Sequence, residues 1–276
     1  MPSLSTYTTV INQVLGEPHA GLLNGIIFGT KAMLSKDLYD ALITTGTLHI
    51  VALSGMNIAI LINLVNITLL AFVSRKTSSL LTLGLITGFV LFVGPSPSII
   101  RAAIMGSVTL LAIIFGRQLW SLYSWTLAVG IMLLLRPEWI GDVAFQLSAA
   151  ATMGIILFGG TKTGTKREKR KTQPRPFHIL VSILQDDLIL TLAAQSLTIP
   201  IVLYHFHRIS LISPLSNVLI GWILAPLTAL GLATAILGWM WLPLGQCVAY
   251  VTWVPLQYLI TVVQWTSRLP LASISF

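Results

Sequence analysis

The chain has 276 residues, of which 55% are hydrophobic and only 9% are charged, and its mean hydropathy is +0.88. Because soluble domains carry about 25% charged residues, this composition excludes an ordinary water-soluble globular protein. The apolar segments are long and mostly unbroken, unlike the alternating strands of about 10 residues in an outer-membrane barrel. The expected fold class is therefore an all-α integral membrane protein, a polytopic helical bundle with room for roughly eight to ten spans.

The formal net charge of +8 is concentrated in one hydrophilic segment. Residues 161–178 contain seven of the 16 lysines and arginines and a single acid, Glu168. Basic residues clustered between spans indicate a cytoplasmic loop, and direct contact with phosphate or lipid is the alternative. The bulk charge therefore indicates membrane orientation and says little about a substrate.

The sequence contains no set of residues typical of an enzyme. It has no nucleotide-binding P-loop, no HExxH motif and no nucleophile–base pair, so we expect neither catalysis nor ATP hydrolysis by this chain. A single cysteine, Cys247, excludes an intrachain disulfide and a Cys-rich zinc site. His205 and His207 alone are too few for a metal site, so no metal or cofactor is expected. Residues 1–16 lack the basic start and apolar core of a secretory signal peptide, and none is expected.

The first 46 residues are mixed in character and are interpreted as an amphipathic, interfacial segment. In their second half, apolar residues recur at helical spacing between charged ones: Leu34, Leu38, Ala41 and Leu42. This pattern predicts an amphipathic helix that lies at the membrane interface. Residues 47–276 are interpreted as a multi-pass transmembrane domain.

Apolar runs after residue 46 predict the membrane spans. They cover 49–73, 80–93, 99–116, 119–135, 143–160, 188–204 and 246–265. Pro214 and Pro226 interrupt residues 209–242, which fits either two spans or a re-entrant hairpin followed by one span.

The distribution of basic residues orients these spans. With the loop 161–178 in the cytoplasm, Arg75, Lys76 and Arg117 also fall inside. Residues 94–98 and the acidic loop after the fourth span then fall outside. The same count places residues 1–46 on the outer face.

Polar residues inside apolar segments are costly in lipid, so they are expected to face the bundle interior or a water-filled cavity. The first span carries His49, Ser54 and Asn57. Its Ser54–Gly55 pair can break the helix and expose backbone polar groups. Asn57 fits either a polar conduit or a hydrogen bond that holds the bundle together.

Later spans carry further polar residues. Gln146 and Ser148 lie in the fifth span, where Ser148 belongs to a row of small residues whose spacing favours helix packing. Gln195 and Asn217 each lie close to a proline, and therefore near a predicted helix break.

The second predicted span, 80–93, has only 14 residues. A helix of that length covers about 21 Å, less than the hydrocarbon core of about 30 Å. Residues 94–97 should therefore lie at membrane depth, with Ser98 as the N-cap of the next helix and Arg101 one turn into it. Free N–H groups, the helix dipole and the guanidinium together predict an anion site that faces a central cavity. The alternative is that Arg101 snorkels to the outer interface.

Four blocks of the sequence, in order, resemble signatures of the ComEC family of competence proteins. They are TGTLHIVALSGMNIAI (45–60), GPSPSIIRAAIM (94–105), LRPEWIGDVAFQLSAAATMGI (135–155) and LAAQSLTIPIVLYHFHRISLISPLSNVL (192–219). The resemblance implies a channel or translocase domain that carries single-stranded DNA across the bacterial cytoplasmic (inner) membrane during natural transformation.

The resemblance also gives the polar residues a substrate. The DNA path that it implies is lined by His49, Ser54, Asn57, Ser98, Arg101, Gln146, Gln195 and Asn217. Arg101 and a helix N-terminus would meet phosphates, and the neutral residues would meet bases or sugars. The implied partners are single-stranded DNA, the lipid bilayer, a separate cytoplasmic ATPase, and DNA-binding or nuclease proteins on the outer face.

The chain departs from the family pattern in two ways. Asn57 occupies the place of the second histidine in the family signature. Full-length relatives also carry an OB-like domain and a metallo-β-lactamase-like domain, so this chain is expected to be a minimal channel domain, a fragment, or a relative that has lost uptake. A secondary transporter of a small anionic or polar metabolite is the alternative function, and a purely structural bundle is a third.

Overall fold

A computed structural model describes residues 3–30, 34–51, 53–116, 120–159, 176–270 and 272–275. Within these ranges it contains twelve α-helices, one 3-10 helix and one antiparallel two-stranded ribbon. The helices are α1 (Leu4–Val14), α2 (His19–Phe28), α3 (Lys36–Thr44), α4 (Leu48–Val51), α5 (Gly55–Leu70), α6 (Arg75–Val93), α7 (Pro97–Phe115), α8 (Ser121–Leu135), α9 (Val143–Phe158), α10 (Pro176–Phe206), α11 (Ser213–Met240) and α12 (Leu242–Ser267). The 3-10 helix is Pro137–Gly141, and β1 (Arg208–Ser210) pairs with β2 (Ser273–Ser275).

Five helices are long and apolar enough to cross a membrane: α6, α7, α11, α12 and the part of α10 from Gln185 to Phe206. Four shorter apolar helices, α2, α5, α8 and α9, accompany them. Large apolar side chains such as Phe72 and Leu134 are 82% and 83% exposed, which suits contact with lipid. The predicted all-α membrane bundle is therefore confirmed.

The first predicted span is broken, as its Ser54–Gly55 pair indicated. It consists of the short helix α4 and the 16-residue helix α5. Ser54 is the N-cap of α5, and its hydroxyl accepts a hydrogen bond from the backbone N–H of Asn57 at 3.4 Å. This cap satisfies one of the N–H groups that a helix start leaves unpaired.

The prediction that the second span is short was wrong. Helix α6 begins at Arg75, because Ser74 caps it by accepting a hydrogen bond from the N–H of Thr77. Its 19 residues extend about 28 Å, close to the thickness of a hydrocarbon core. The prediction missed the first turn of α6 because that turn is polar and the spans were predicted from apolar runs alone.

The chain still turns sharply between α6 and α7. Gly94 has a φ of 102°, which disfavours any residue with a Cβ, and prolines follow at 95 and 97. The N-cap of α7 is Ser96, so the prediction that Ser98 caps this helix was wrong. The residue before a proline favours extended backbone, and proline favours the first helical position, which together move the helix start to Pro97.

Residues 209–242 follow neither of the two topologies left open by the sequence. A single 28-residue helix, α11, runs from Ser213 to Met240 and continues through Pro226. Pro214 lies in its first turn, where the missing N–H has no intrahelical acceptor to lose. Helix α10 likewise continues through Pro200. Membrane helices tolerate such prolines because neighbouring groups satisfy the freed backbone.

The first three helices contribute to the main core, which also includes α4, α11 and α12. Helix α3 is amphipathic as predicted, with Leu38, Ala41 and Leu42 buried. Helix α2 is different: the nine consecutive residues 20–28 are all buried, and α1, α4, α11 and α12 surround them. The amphipathic character expected of residues 1–46 therefore does not describe α2.

The side of the membrane that each loop faces stays a prediction, and the loop 161–178 lies almost entirely outside the described residues. In a Cys247→Ser background, we expect Lys166→Cys to be protected from an impermeant thiol reagent in intact cells. Ser96→Cys, in the turn before α7, should react with the same reagent. Labelling of position 166 from outside would invert the whole predicted topology.

Candidate functional site

Arg101 is the only charged side chain among the described residues that is buried, with 8% of its surface exposed. Its Nε donates a hydrogen bond to Oγ of Ser148 at 2.9 Å, and its Nη1 donates to Oγ1 of Thr152. Nη1 also lies 3.5 Å from Sδ of Met105. These contacts direct the guanidinium from α7 toward α9, so the alternative that Arg101 snorkels to the interface is not what the structure shows.

The two hydroxyl groups that hold Arg101 lie one turn apart on α9. The sequence indicated only a packing role for Ser148, and its acceptor role was missed. Thr152 also donates to the backbone carbonyl of Ser148 at 3.0 Å, which fixes its oxygen for the guanidinium. Hydroxyls spaced four residues apart, in a span that follows an intramembrane arginine, were the signal available in the sequence.

The other side of the guanidinium faces the start of α5. A Cβ placed on Gly55 would lie 2.7 Å from Nη2 of Arg101 and 3.7 Å from the carbonyl oxygen of Ser98. The structure thus brings Ser54, Ser98 and Arg101 together where two helices begin. The positive ends of the α5 and α7 dipoles lie near the cation, so the local field favours an anion.

The guanidinium of Arg101 has no counter-ion in the part of the chain that the structure describes. Its hydrogen bonds go to neutral groups, and Nη2 makes none to the described residues. Burying a charge without a partner costs several kcal/mol, and an opposite charge beside it offsets part of that cost. An anion bound at this site would compensate the charge of the guanidinium.

Asn57 is 3% exposed and belongs to a different contact. Its Nδ2 donates to the carbonyl oxygen of Ile26 at 2.9 Å, in the last turn of α2, where carbonyls lack intrahelical partners. Its Oδ1 has no partner among the described residues, and Asn57 and Thr228 both line a small cavity. The occupied donor favours the interpretation that Asn57 holds the bundle together.

Asn57→Ala is expected to destabilise the protein by about 1–3 kcal/mol, because it leaves a buried carbonyl of α2 unpaired. Asn63→Ala, at an exposed position on the same helix, is the matched control and should change stability little. Unfolding of the detergent-solubilised protein by heat or denaturant measures both. Equal stability of the two variants would show that the Asn57–Ile26 bond does not stabilise the fold.

A second polar cluster is centred on Ser213 at the start of α11. Nε2 of Gln195 and Nδ2 of Asn217 donate to its hydroxyl at 2.9 and 3.3 Å. Gly46 packs against the same hydroxyl, since a Cβ at that position would lie 2.8 Å from it. The carbonyl of Gly46 lies 3.0 Å from Nδ1 of His49. The structure thus connects three predicted site residues through Ser213 and Gly46, which sequence reasoning missed.

Gln146 lies apart from both clusters. Its Nε2 donates to the carbonyl of Ile140 at 2.8 Å, and its Oε1 lies 3.2 Å from Nε2 of His205. It therefore ties the 3-10 helix to the end of α10. Within the described residues, no group of three or more His, Cys, Asp or Glu side chains is placed to hold a metal ion.

Comparison with known protein sequences identifies the family of this chain. A family model described as "Competence protein" matches residues 26–276. The chain is also 28% identical over 209 residues to ComE operon protein 3 of Bacillus subtilis (strain 168). That match covers 75% of this chain but 25% of the relative, so the chain spans about a quarter of the relative's length. No solved structure matches. Because the family model covers well over half of the sequence, this membrane protein belongs to the competence protein family, as its four ComEC-like blocks predicted.

Proposed function

We propose that the chain forms a conduit for single-stranded DNA across the bacterial cytoplasmic membrane during natural transformation. Membership of the competence family supports a role in DNA uptake. The observation that carries the finer proposal is the buried guanidinium of Arg101 at the start of two helices, which has no counter-ion among the described residues. A DNA strand presents one phosphate charge per nucleotide, and a guanidinium suits phosphate recognition.

The chemistry of the site suits a DNA strand that passes through better than one that stays bound. A conduit must bind its cargo weakly at several points, so that the cargo can leave each one. A single fixed cation meets one phosphate at a time, and neutral amides and hydroxyls such as those around Ser213 can exchange hydrogen bonds with bases and sugars. A dense basic groove would hold a strand too firmly. The driving force, in this proposal, comes from a separate cytoplasmic ATPase.

A secondary transporter of a small anionic metabolite is the second candidate, because the same guanidinium would also attract a small oxyanion. The two functions differ in what a cell loses without the protein. A DNA conduit is needed only for uptake of DNA, whereas a transporter is needed for accumulation of its solute.

The test is deletion of the gene in the native host, followed by uptake of fluorescently labelled DNA. We expect labelled DNA to bind the deletion cells but to remain accessible to added nuclease. Return of the gene should restore a nuclease-protected fraction. Normal protection of DNA in the deletion strain would exclude the conduit and leave the solute transporter as the better candidate.

A further inference from the structure

We infer that Nη2 of Arg101 and the first turn of α5 form a binding site for one phosphate group. The chemical class is a tetrahedral oxyanion, supplied by a DNA phosphodiester if the proposed function holds. The inference rests on that function only for the source of the phosphate. The site itself stands on geometry, since Nη2 of a side chain that is only 8% exposed makes no hydrogen bond to the described residues and lies against a helix start.

The backbone of α5 provides the remaining donors. Ser54 satisfies two of the first N–H groups, because its side chain accepts from Asn57 and its carbonyl accepts from Ile58 at 3.3 Å. The N–H groups of Gly55 and Met56 are left without a partner among the described residues. Backbone N–H groups at a helix start and a guanidinium nitrogen are donors of the kind that bind phosphate oxygens.

Glycine at position 55 lets the guanidinium of Arg101 pack directly against the start of α5. Any larger residue would place its Cβ 2.7 Å from Nη2, closer than non-bonded atoms approach, and would displace the guanidinium from α5. Gly55→Ala therefore separates the two halves of the site without changing any charge. The variant distinguishes a built site from simple attraction to a buried cation.

The acceptors on α9 determine which nitrogen of the Arg101 guanidinium remains available to bind phosphate. Ser148 and Thr152 occupy Nε and Nη1, so the guanidinium presents Nη2 toward α5. Loss of the Ser148 hydroxyl should let the guanidinium rotate and should weaken phosphate binding, again with the charge unchanged. Ser148 is in this sense a positioning residue.

The experiment measures binding to the purified chain in nanodiscs of zwitterionic lipid, by fluorescence anisotropy of a labelled oligo-dT. We expect Arg101→Gln and Gly55→Ala each to weaken binding about tenfold or more, as loss of a charge-assisted contact does. Ser148→Ala should give a smaller loss. Arg75→Gln removes an exposed arginine at the start of α6 and, as the matched control, should bind like the parent.

Three competitors identify the chemistry. Inorganic phosphate at high concentration should displace the oligonucleotide, and an oligo-dT with neutral methylphosphonate linkages should not. Displacement by phosphatidylglycerol in the nanodisc, lost in Arg101→Gln, would support the phosphate site and assign it to a lipid headgroup, against the DNA proposal.

The inference is overturned if Arg101→Gln, Gly55→Ala and Ser148→Ala all bind the oligonucleotide like the parent, and in that case the conduit proposal survives. Should Gly55→Ala fail to fold, as judged by size-exclusion chromatography, Ser148→Ala and Arg101→Gln decide the question. Competition by the methylphosphonate oligonucleotide equal to that of normal oligo-dT would also overturn it, because recognition would then rest on bases.

Discussion

Arg101→Leu is expected to abolish DNA uptake while the protein still accumulates in the membrane. The substitution removes a desolvated charge, which relieves a cost of folding instead of creating one. Of the two acceptors that it leaves, Thr152 keeps its hydrogen bond to the backbone carbonyl of Ser148. Nuclease-protected labelled DNA measures uptake, and immunoblots of membranes measure the amount of protein.

Two further variants sharpen this test, one at the same position and one as a control. Arg101→Lys keeps the charge but loses the planar fork that reaches Ser148 and Thr152 together, so partial uptake is expected. Ser98→Ala should have little effect, because it is the backbone carbonyl of Ser98 that approaches Gly55, and because Ser96 and not Ser98 is the N-cap of α7. Parental uptake by Arg101→Leu would make the arginine a structural group and exclude it from the DNA path.

If a strand passes through the region that α2 fills, tying α2 to α11 by a disulfide should stop DNA uptake, because α2 could then not move aside. The pair Ile27→Cys and Gly231→Cys suits this test, since Cγ1 of Ile27 lies 3.4 Å from the Cβ position of residue 231. The native cysteine is exposed and is replaced first, by Cys247→Ser. Uptake should return when a membrane-permeant reductant opens the bond, which separates locking from misfolding.

The matched control joins α11 and α12, which this prediction does not require to separate. Thr234 and Thr252, on α11 and α12, place their hydroxyl oxygens 3.0 Å apart in the core. A disulfide between cysteines at these two positions should leave uptake unchanged. If the pair at 27 and 231 is fully cross-linked and uptake persists, α2 stays in place while a strand passes.

Hydropathy and backbone chemistry predict most of the fold. The breaks at Ser54–Gly55 and at residues 94–96 follow from local residue types, and the structure has both. The errors share one physical cause. The start of α6 and the continuous α11 both depend on what surrounds the helix, because polar first turns can lie at the interface and prolines are tolerated where neighbours satisfy the backbone.

The candidate site was predictable only in part. Arg101 stands out in any apolar sequence, since lipid makes an unneeded charge costly. Its partners stand out less, because Ser148 and Thr152 follow it by 47 and 51 residues and no spacing rule relates residues on different helices. The four-residue spacing of the two hydroxyls was the one signal that the sequence offered. The bond between Gln195 and Ser213 was missed for the same reason, whereas Ser213 and Asn217 lie four residues apart on α11, a spacing that was visible in the sequence.

The burial of α2 bears on how a cell could maintain its membrane potential with such a protein in the membrane. An opening wide enough for a nucleic acid would also pass protons and ions, and each charge that crosses 100 mV dissipates about 2.3 kcal/mol. Leu22, Leu23, Ile26 and Ile27 are at most 2% exposed, and the cavity beside Asn57 has a volume of about 10 Å³, no more than one water requires. The tight packing around α2 would impede the passage of ions, and a strand that passed there would itself have to complete the seal.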